Sequence, residues 1–418
     1  MASGKTQRRK LRMGMIGGGG DGFIGPIHRR AAALCGNIEL VAGAFSSDAE
    51  RSRQCGEELF LAPERVYAGF EEMISCEASR PESDRIDFIS IVTPNHLHYP
   101  AARLALESGF DVLSDKPATR TLEEVRSLQT IVATTGRQFG LTHTYLGYPL
   151  VSQARRMIAN GEFGTIRKIV VEYLQGWLAR DEESSGNKQA SWRTNPDLSG
   201  ASGCVADIGT HAHNLVEYVT GQHITKVCAE LTAFVDGRKL DDDGSALFRT
   251  SGGAKGVLTA SQICAGAENG LRIAVYGTEG GCEWRHEDPN TLVVRRPGKD
   301  VELFRAGAGN PNLYPEIRAA FITPPGHPEG YIEAFASLYR SFADLLDSSL
   351  AEQKKPQSIP PCPGIEDGVR GLEFVTAMIA SSDNGGMWTQ LGTNRSGDLG
   401  VVSDAMKITM HAQKMEKA

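Results

Sequence analysis

The sequence predicts an α/β protein of two unlike halves. The first is a doubly wound parallel sheet, and the second is an α+β unit with an open, mostly antiparallel sheet. Three observations carry this reading. Apolar, β-branched runs alternate with helical patterns as far as Phe139–His143, the pattern of successive βαβ units. From Ile166 onward, strand-like runs follow one another with turn signals between them. A length of 418 residues suits two domains at roughly 100–200 residues each. Apolar residues at 40% and charged residues at 23% exclude a largely disordered chain.

Taken in order, Leu11–Ile16 is a short buried strand stopped by glycines, and Ile27–Leu34 has helical character. Ile38–Phe45 is a second strand and Ala49–Leu59 a helix charged on one side. The β-branched strand Ile86–Val92 ends at Thr93-Pro94, and the helix Tyr99–Ser108 is closed by Gly109. Phe110–Leu113 is a strand. Thr121–Thr135 is a helix whose Thr121 and Glu124 have capping-box spacing. Alternation stops after Phe139–His143, which places the domain boundary near Tyr145–Pro149 and divides the chain into 1–145 and 146–418. Beyond it come a helix, Gln153–Ala159, and strands at Ile166–Leu174, Ile224–Phe234, Ala246–Thr250, Gly256–Ile263, Leu271–Tyr276, Cys282–Trp284 and Leu292–Arg295. One helix, Val205–Val219, interrupts them. Tyr331–Asp347 and Ile365–Ala380 form two more, joined by a proline-rich connector, Lys355–Pro363.

Several function classes fall away. Forty-four basic against 51 acidic residues leave a net charge of −7, which offers nucleic acid no electrostatic attraction. None of the eight cysteines forms a C-x-x-C pair, so zinc ribbons and thioredoxin-like sites have no support. Scattered single cysteines suit a reducing cytoplasm. Lys5, Arg8, Arg9, Lys10 and Arg12 make a basic cluster containing a twin arginine, but glycines cut the apolar stretch that follows. It reads as a solvated basic tail, not a signal. No apolar run approaches the roughly 18–20 residues of a membrane span. A cytoplasmic protein without nucleic-acid or membrane partners is expected.

The chemistry sits in five segments. Gly17-x-Gly19-x-x-Gly22, followed by Phe23 and Ile24, lies between a strand and a helix. Glycines there let the backbone approach a pyrophosphate, which the helix N-terminus favours; a plain flexible turn is the alternative. Strand two ends in Ser46 and Ser47, with Asp48 and then Arg51 in the next helix. Hydroxyls replace the acidic ribose reader, a pattern that fits NADP, and an ordinary capping stretch fits equally. Thr93-Pro94-Asn95-His96-Leu97-His98 and Ser114-Asp115-Lys116-Pro117 both follow strands, where open parallel sheets place ligands. A single lysine is by default a surface residue; in a crevice it stabilises charge or moves a proton. Asp207 and His211 are four apart on a helix, with Asn214 on the same stripe. They suggest an imidazole base oriented by its carboxylate. Zinc fails for want of a third ligand, although His213 is close, so no metal is expected.

In that order, GGGGDGFIGPIH, TPNHLH, SDKP and DIGTH resemble the Gfo/Idh/MocA family of oxidoreductases, over about Leu11 to Trp284. The resemblance implies a Rossmann domain and a C-terminal domain whose outer sheet face forms dimers or tetramers. It maps the family lysine to Lys116, the acid–base pair to Asp207 and His211, and the nicotinamide border to Thr93, Pro94 and Asn95, with His98 following. Asp115 stands where the family has glutamate. Extra loop residues allow Gly25 to replace Gly22 as the last fingerprint glycine. Ser46 with Arg51 reproduces the pattern of NADP-using relatives, so NAD(P) with a leaning to NADP is expected. The implied reaction passes hydride between the nicotinamide and a secondary alcohol of a sugar or cyclitol. His211, oriented by Asp207, removes the hydroxyl proton and Lys116 stabilises the oxyanion. Tyr145, Trp177, Lys188, Trp192 and Arg193 lie in segments that face the crevice, the aromatics to stack on a sugar ring or else to pack in the core. His327 in Gly326–Gly330 either reaches the substrate or sits exposed in a turn. A glycosidase working through transient oxidation and a non-catalytic dinucleotide sensor are the competing readings.

Overall fold

The computed structural model describes residues 9–20, 22–350 and 358–392. Asp21, the start of the basic cluster (Lys5, Arg8) and Lys355 lie outside them. Five parallel strands form the first sheet: β1 (Leu11–Gly17), β2 (Ile38–Ala44), β3 (Phe88–Val92), β4 (Asp111–Ser114) and β5 (Phe139–Leu141), in the order β2-β1-β3-β4-β5. The chain leaves β1 to one side for β2 and returns to the other for β3. The crevice therefore opens above the C-terminal ends of β1 and β3, at the switch point. Val66 bridges Gly43 in parallel and extends the sheet beyond β2, which completes the strand order of a dinucleotide-binding Rossmann sheet. β3 is buried throughout, because helices cover both faces of a parallel sheet. The capping box at Thr121 and Glu124 forms.

The helix Phe70–Ala78 has no counterpart among the expected elements. Its inward face carries Met73, Ile74 and a fully buried Glu77, and the charge at Glu77 disguises the apolar stripe. Arg9 is not a solvated tail residue, because both guanidinium nitrogens donate to Asp87, at 2.5 and 2.7 Å.

The second sheet contains β6 (Ile166–Leu174), β7 (Ile224–Thr232), β8 (Asp243–Thr250), β9 (Lys255–Ser261), β10 (Gly270–Gly277), β11 (Gly281–Arg285), β12 (Thr291–Arg295), β13 (Glu302–Arg305) and β14 (Thr389–Gln390). Their order is β13-β12-β11-β10-β6-β9-β8-β7-β14. Only the β6–β9 pairing is parallel. The helices Pro149–Ala159, Thr210–Thr220 and Ile365–Asp383 contribute to the core on its inner face. The expected helix Val205–Val219 is a π-helical turn, Val205–Gly209, continued by an α-helix, Thr210–Thr220, and closed by Gly221 at φ 66°.

The hydrophobic core runs across the expected division at residue 145. Phe335, Tyr339 and Phe342 of the helix Tyr331–Leu350 pack with Met13, Met15, Ala31 and Phe88 of the parallel sheet layer. A long apolar stripe far along the chain joins Ile27, Ala31 and Ala32 of the helix Ile24–Leu34 in closing the first domain's core. No described helix is long and apolar enough to cross a membrane.

Candidate active site

At the mouth of β1 the backbone lies bare. Gly17 has φ 78°, and a Cβ there would stand 2.4 Å from Val92 O. A Cβ on Gly25 would stand 2.0 Å from Gly18 O. Gly22 has room for one, its nearest neighbour being Gly19 O at 3.6 Å. Gly25, not Gly22, is thus the glycine of close helix–loop packing. The helix Ile24–Leu34 starts here with no acidic residue in its first turn, so its N-terminal dipole is left for an anion. This cradle, which a Cβ would fill, fits a pyrophosphate. Phe23 is exposed beside it, stacked 6.5 Å from Tyr331.

At the end of β2, Ser46 Oγ accepts from Asp48 N at 3.1 Å, and Asp48 Oδ1 accepts from Arg51 N at 3.0 Å. The Asp48 carboxylate therefore caps the helix Ala49–Glu58. The Ser47 and Arg51 side chains are exposed.

Two loops form the floor. His98 bonds Thr93 O at 2.9 Å and Pro117 O at 2.6 Å, and it is 1% exposed. It staples the β3 and β4 loops together through both ring nitrogens. Asn95 Nδ2 donates to Ser199 O at 3.1 Å, joining its loop to the second domain. Asp115 Oδ1 accepts from Lys116 N at 2.9 Å and Thr142 Oγ1 at 2.8 Å, which fixes the turn. Thr93 Oγ1 is buried without a partner, a polar atom left for a ligand group beside Pro94.

Lys116 projects from this floor to the second domain. Its Nζ donates to Asp207 Oδ1 at 2.6 Å and Asp207 O at 2.7 Å. Gln262 Nε2 donates to Asp207 Oδ2 at 3.0 Å, and Arg193 Nε lies 3.3 Å from the same oxygen. Burial pushes the Asp207 carboxyl up, but the charges of Lys116 and Arg193 outweigh it and hold the group well below the usual carboxylate range.

His211 is not oriented by Asp207. The Asp207 carboxylate is taken up by Lys116 and Gln262, and no hydrogen bond joins it to the imidazole. The imidazole instead meets Tyr145, His143 and Tyr173, with ring centroids 4.9, 5.5 and 6.2 Å away. Its Nδ1 is buried without a partner. Burial lowers its pKa well below 6.5, and the Lys116 charge and His143 add to the effect. Burial and Lys116 likewise hold His143 down at about 3. The site therefore pairs an ionised Lys116–Asp207 couple with two neutral imidazoles.

The remaining expected contacts divide. Arg193 reaches the site, its guanidinium carbon 4.2 Å from the Trp192 ring centroid and 5.9 Å from that of Trp177. Tyr145 is no stacking platform. It is buried, bonded to Tyr173 and accepting from Asn269 Nδ2 at 3.1 Å. Lys188 is exposed at the start of the helix Lys188–Arg193. His327 is exposed in a turn organised by Glu329, which accepts from Ile322 N at 2.6 Å and Thr323 N at 2.7 Å. Asn214 faces Asp367 instead, at 3.2 Å. The sequence reading missed His143 and Gln262. His143 follows β5 at the C-terminal edge of the parallel sheet, the position that should have marked it. Gln262, just past β9, belongs to no motif. Among the described residues, no group of three His, Cys, Asp or Glu could hold a metal ion.

An oxidoreductase family model, the NAD-binding Rossmann fold, matches residues 11–143, and the GFO/IDH/MocA C-terminal domain model matches residues 151–283. The uncharacterised oxidoreductase YfiI of Bacillus subtilis is 31% identical over 386 residues, 91% of this chain and 97% of its own. The crystal structure of an inositol dehydrogenase homologue from Azotobacter vinelandii, complexed with NAD+, is 35% identical with a TM-score of 0.86, covering 93% of this chain and 100% of that one. A structure of such a homologue from the same organism, complexed with NADH and myo-inositol, is 35% identical with a TM-score of 0.83, covering 91% and 98%.

Proposed function

We propose that this chain, which belongs to the Gfo/Idh/MocA oxidoreductase family, is an NAD(P)-dependent dehydrogenase acting on a secondary alcohol of a sugar or cyclitol. The observation that carries the reading is the meeting of Lys116 from the first domain with Asp207 from the second, 2.6 Å apart, beside the neutral imidazole of His211. When bound, the cofactor supplies the hydride acceptor. The glycine turn from Gly17 and Gly19 to Gly25, the helix start at Ile24, and Thr93–Asn95 would hold it. Lys116 donates to the substrate oxygen and stabilises its negative charge. His211, kept unprotonated by its surroundings, takes the hydroxyl proton. Asp207 positions Lys116, not the imidazole. His98 and Asp115 shape the loops from beneath.

Ser46 and Arg51, with Asp48 engaged as a cap, support a preference for NADP+ over NAD+. Cofactor binding is assigned to residues 1–145, and substrate binding and assembly to 146–418. The outer face of the nine-stranded sheet leaves Leu247, Tyr276 and Leu303 exposed, and there we place the contact of a homodimer or tetramer. A panel of sugars and cyclitols assayed with NAD+ and NADP+ separately tests the reading. Arg51→Ala should lower kcat/KM for NADP+ by ~10-fold, one lost charge-assisted contact, and leave NAD+ unchanged. A panel without turnover overturns the dehydrogenase assignment. Equal use of both cofactors overturns the Ser46/Arg51 reading. Light scattering that shows a monomer overturns the assembly.

A further inference from the structure

Arg193 differs from two other arginines that meet carboxylates inside this fold. Arg65 and Arg238 are each consumed by their partners, at 2.6–3.2 Å. Arg193 is not. Its Nε lies 3.3 Å from Asp207 Oδ2 but is sealed from solvent without a geometrically sound hydrogen bond. Its Nη1 donates to Gln189 Oε1 at 2.5 Å and Gln189 O at 3.3 Å. Among the described residues its Nη2 has no hydrogen-bond partner.

The guanidinium is nonetheless held in place. It lies 4.2 Å from the Trp192 ring centroid and 5.9 Å from that of Trp177, both within cation–π range. The segment that carries it is tied to the first domain by Asn95, which donates to Ser199 O at 3.1 Å, and by Arg120, which donates to Asp197 O at 2.7 Å. A fixed cation with an unused donor, held at the reacting centre, is a recognition element awaiting an acceptor.

Lys116 and Arg193 address the two oxygens of one carboxylate. They therefore flank one carboxylate, Lys116 at Oδ1 and Arg193 at Oδ2. A ring that offers its reacting hydroxyl to Lys116 brings the neighbouring hydroxyl toward Arg193.

We propose that Arg193 is a specificity-determining residue that donates to the hydroxyl next to the oxidised carbon, so that the enzyme selects vicinal diols over their deoxy analogues. Trp177 and Trp192 hold the guanidinium and cover the C–H face of the same ring. The proposal rests on the dehydrogenase reading and names the substrate class within it. A site that donates to a hydroxyl discriminates against the analogue that lacks it, because the donor then loses its acceptor.

The test is a cycle of two substrates and three enzymes. The substrates are myo-inositol, or the best polyol of the panel if inositol is not turned over, and its analogue deoxygenated next to the oxidised carbon. The enzymes are wild type, Arg193→Met and Arg193→Lys. In wild type the deoxy analogue should lose ~100-fold or more in kcat/KM. In Arg193→Met the two substrates should come within ~5-fold of one another, with the loss falling on the diol. Arg193→Lys, which keeps the charge and loses the fork, should be intermediate. Cofactor affinity and Tm, measured on each variant, separate a folding defect from this effect, and Arg193→Lys decides the matter if Arg193→Met fails to fold. A full deoxy penalty retained in the variants, or no penalty in wild type, overturns the proposal while the dehydrogenase reading stands. Failure of wild type to oxidise any polyol removes both.

Discussion

Two carboxylates, the fully buried Glu77 and the part-buried Asp207, each meet a cation, and they teach opposite lessons. Glu77 is fully buried and receives Arg65 Nε at 3.0 Å, Arg65 Nη2 at 2.6 Å, Tyr67 OH at 2.9 Å and Ile86 N at 3.2 Å. Every group there has its partner, and the cluster is closed. Asp207 is just as well bonded, but its surroundings are not. His211 Nδ1, His143 Nδ1 and Arg193 Nε are all buried without partners. A satisfied network holds a helix against a sheet. An unsatisfied one, with neutral bases beside a charged lysine, is arranged for something that comes and goes. Unmet bonding capacity around the ion pair, more than the pair itself, distinguishes the Asp207 cluster from the Glu77 one.

The largest expected effect tests the open cluster. Lys116→Ala and His211→Ala should each lower kcat by ~10²–10⁴-fold while the cofactor still binds; wild-type turnover would break the contrast. Next, Glu77→Gln should cost ~3–5 kcal/mol of stability, the cost of breaking a buried pair, with kcat unchanged in the folded fraction. Chemical denaturation alongside a per-site assay checks both, and a catalytic defect would show that the closed cluster is not merely structural.

The third effect is pH-dependent. Burial lowers His28 from 6.5 to about 4 and His143 to about 3. Below pH 6.5 the unfolded chain takes up protons that the folded one refuses. Stability is therefore full above 6.5 and falls by ~1.4 kcal/mol per histidine for each pH unit down toward 4. A Tm flat between pH 6.5 and 4.5 would deny that these nitrogens are sealed. The smallest effect belongs to Tyr67→Phe, which removes one of the bonds to Glu77 and should cost ~1 kcal/mol. A loss near that of Glu77→Gln would mean that the hydroxyl, not Arg65, holds the cluster.

Much of this was legible before any coordinates. The strand–turn–helix at Gly17, the capping box at Thr121, and strand Ile166–Leu174 follow from local pattern alone, since each depends on near neighbours. What escaped notice did so for stated reasons. The helix at Phe70 was hidden by a buried charge whose partner, Arg65, lies before it in the chain. The isolated bridge at Val66 is too short to carry a period. Part of the cover of the parallel sheet came from Tyr331–Leu350, which no neighbouring segment announces.

The amino-acid order by itself determined the two-part α/β plan and the glycine turn, because motif order and strand ends are local facts, and it pointed to Lys116, Asp207 and His211 through the resemblance that those motifs carry together. Tertiary structure alone decided who bonds whom. Packing between the two domains gave Asp207 to Lys116 and left His211 among Tyr145 and His143. The fold also made Gly25 the packing glycine, turned His98 into a staple, and brought Arg193 and Gln262 to the same carboxylate. Those outcomes depend on hydrogen bonds and burial between segments up to about a hundred residues apart, and no periodicity in the chain records them.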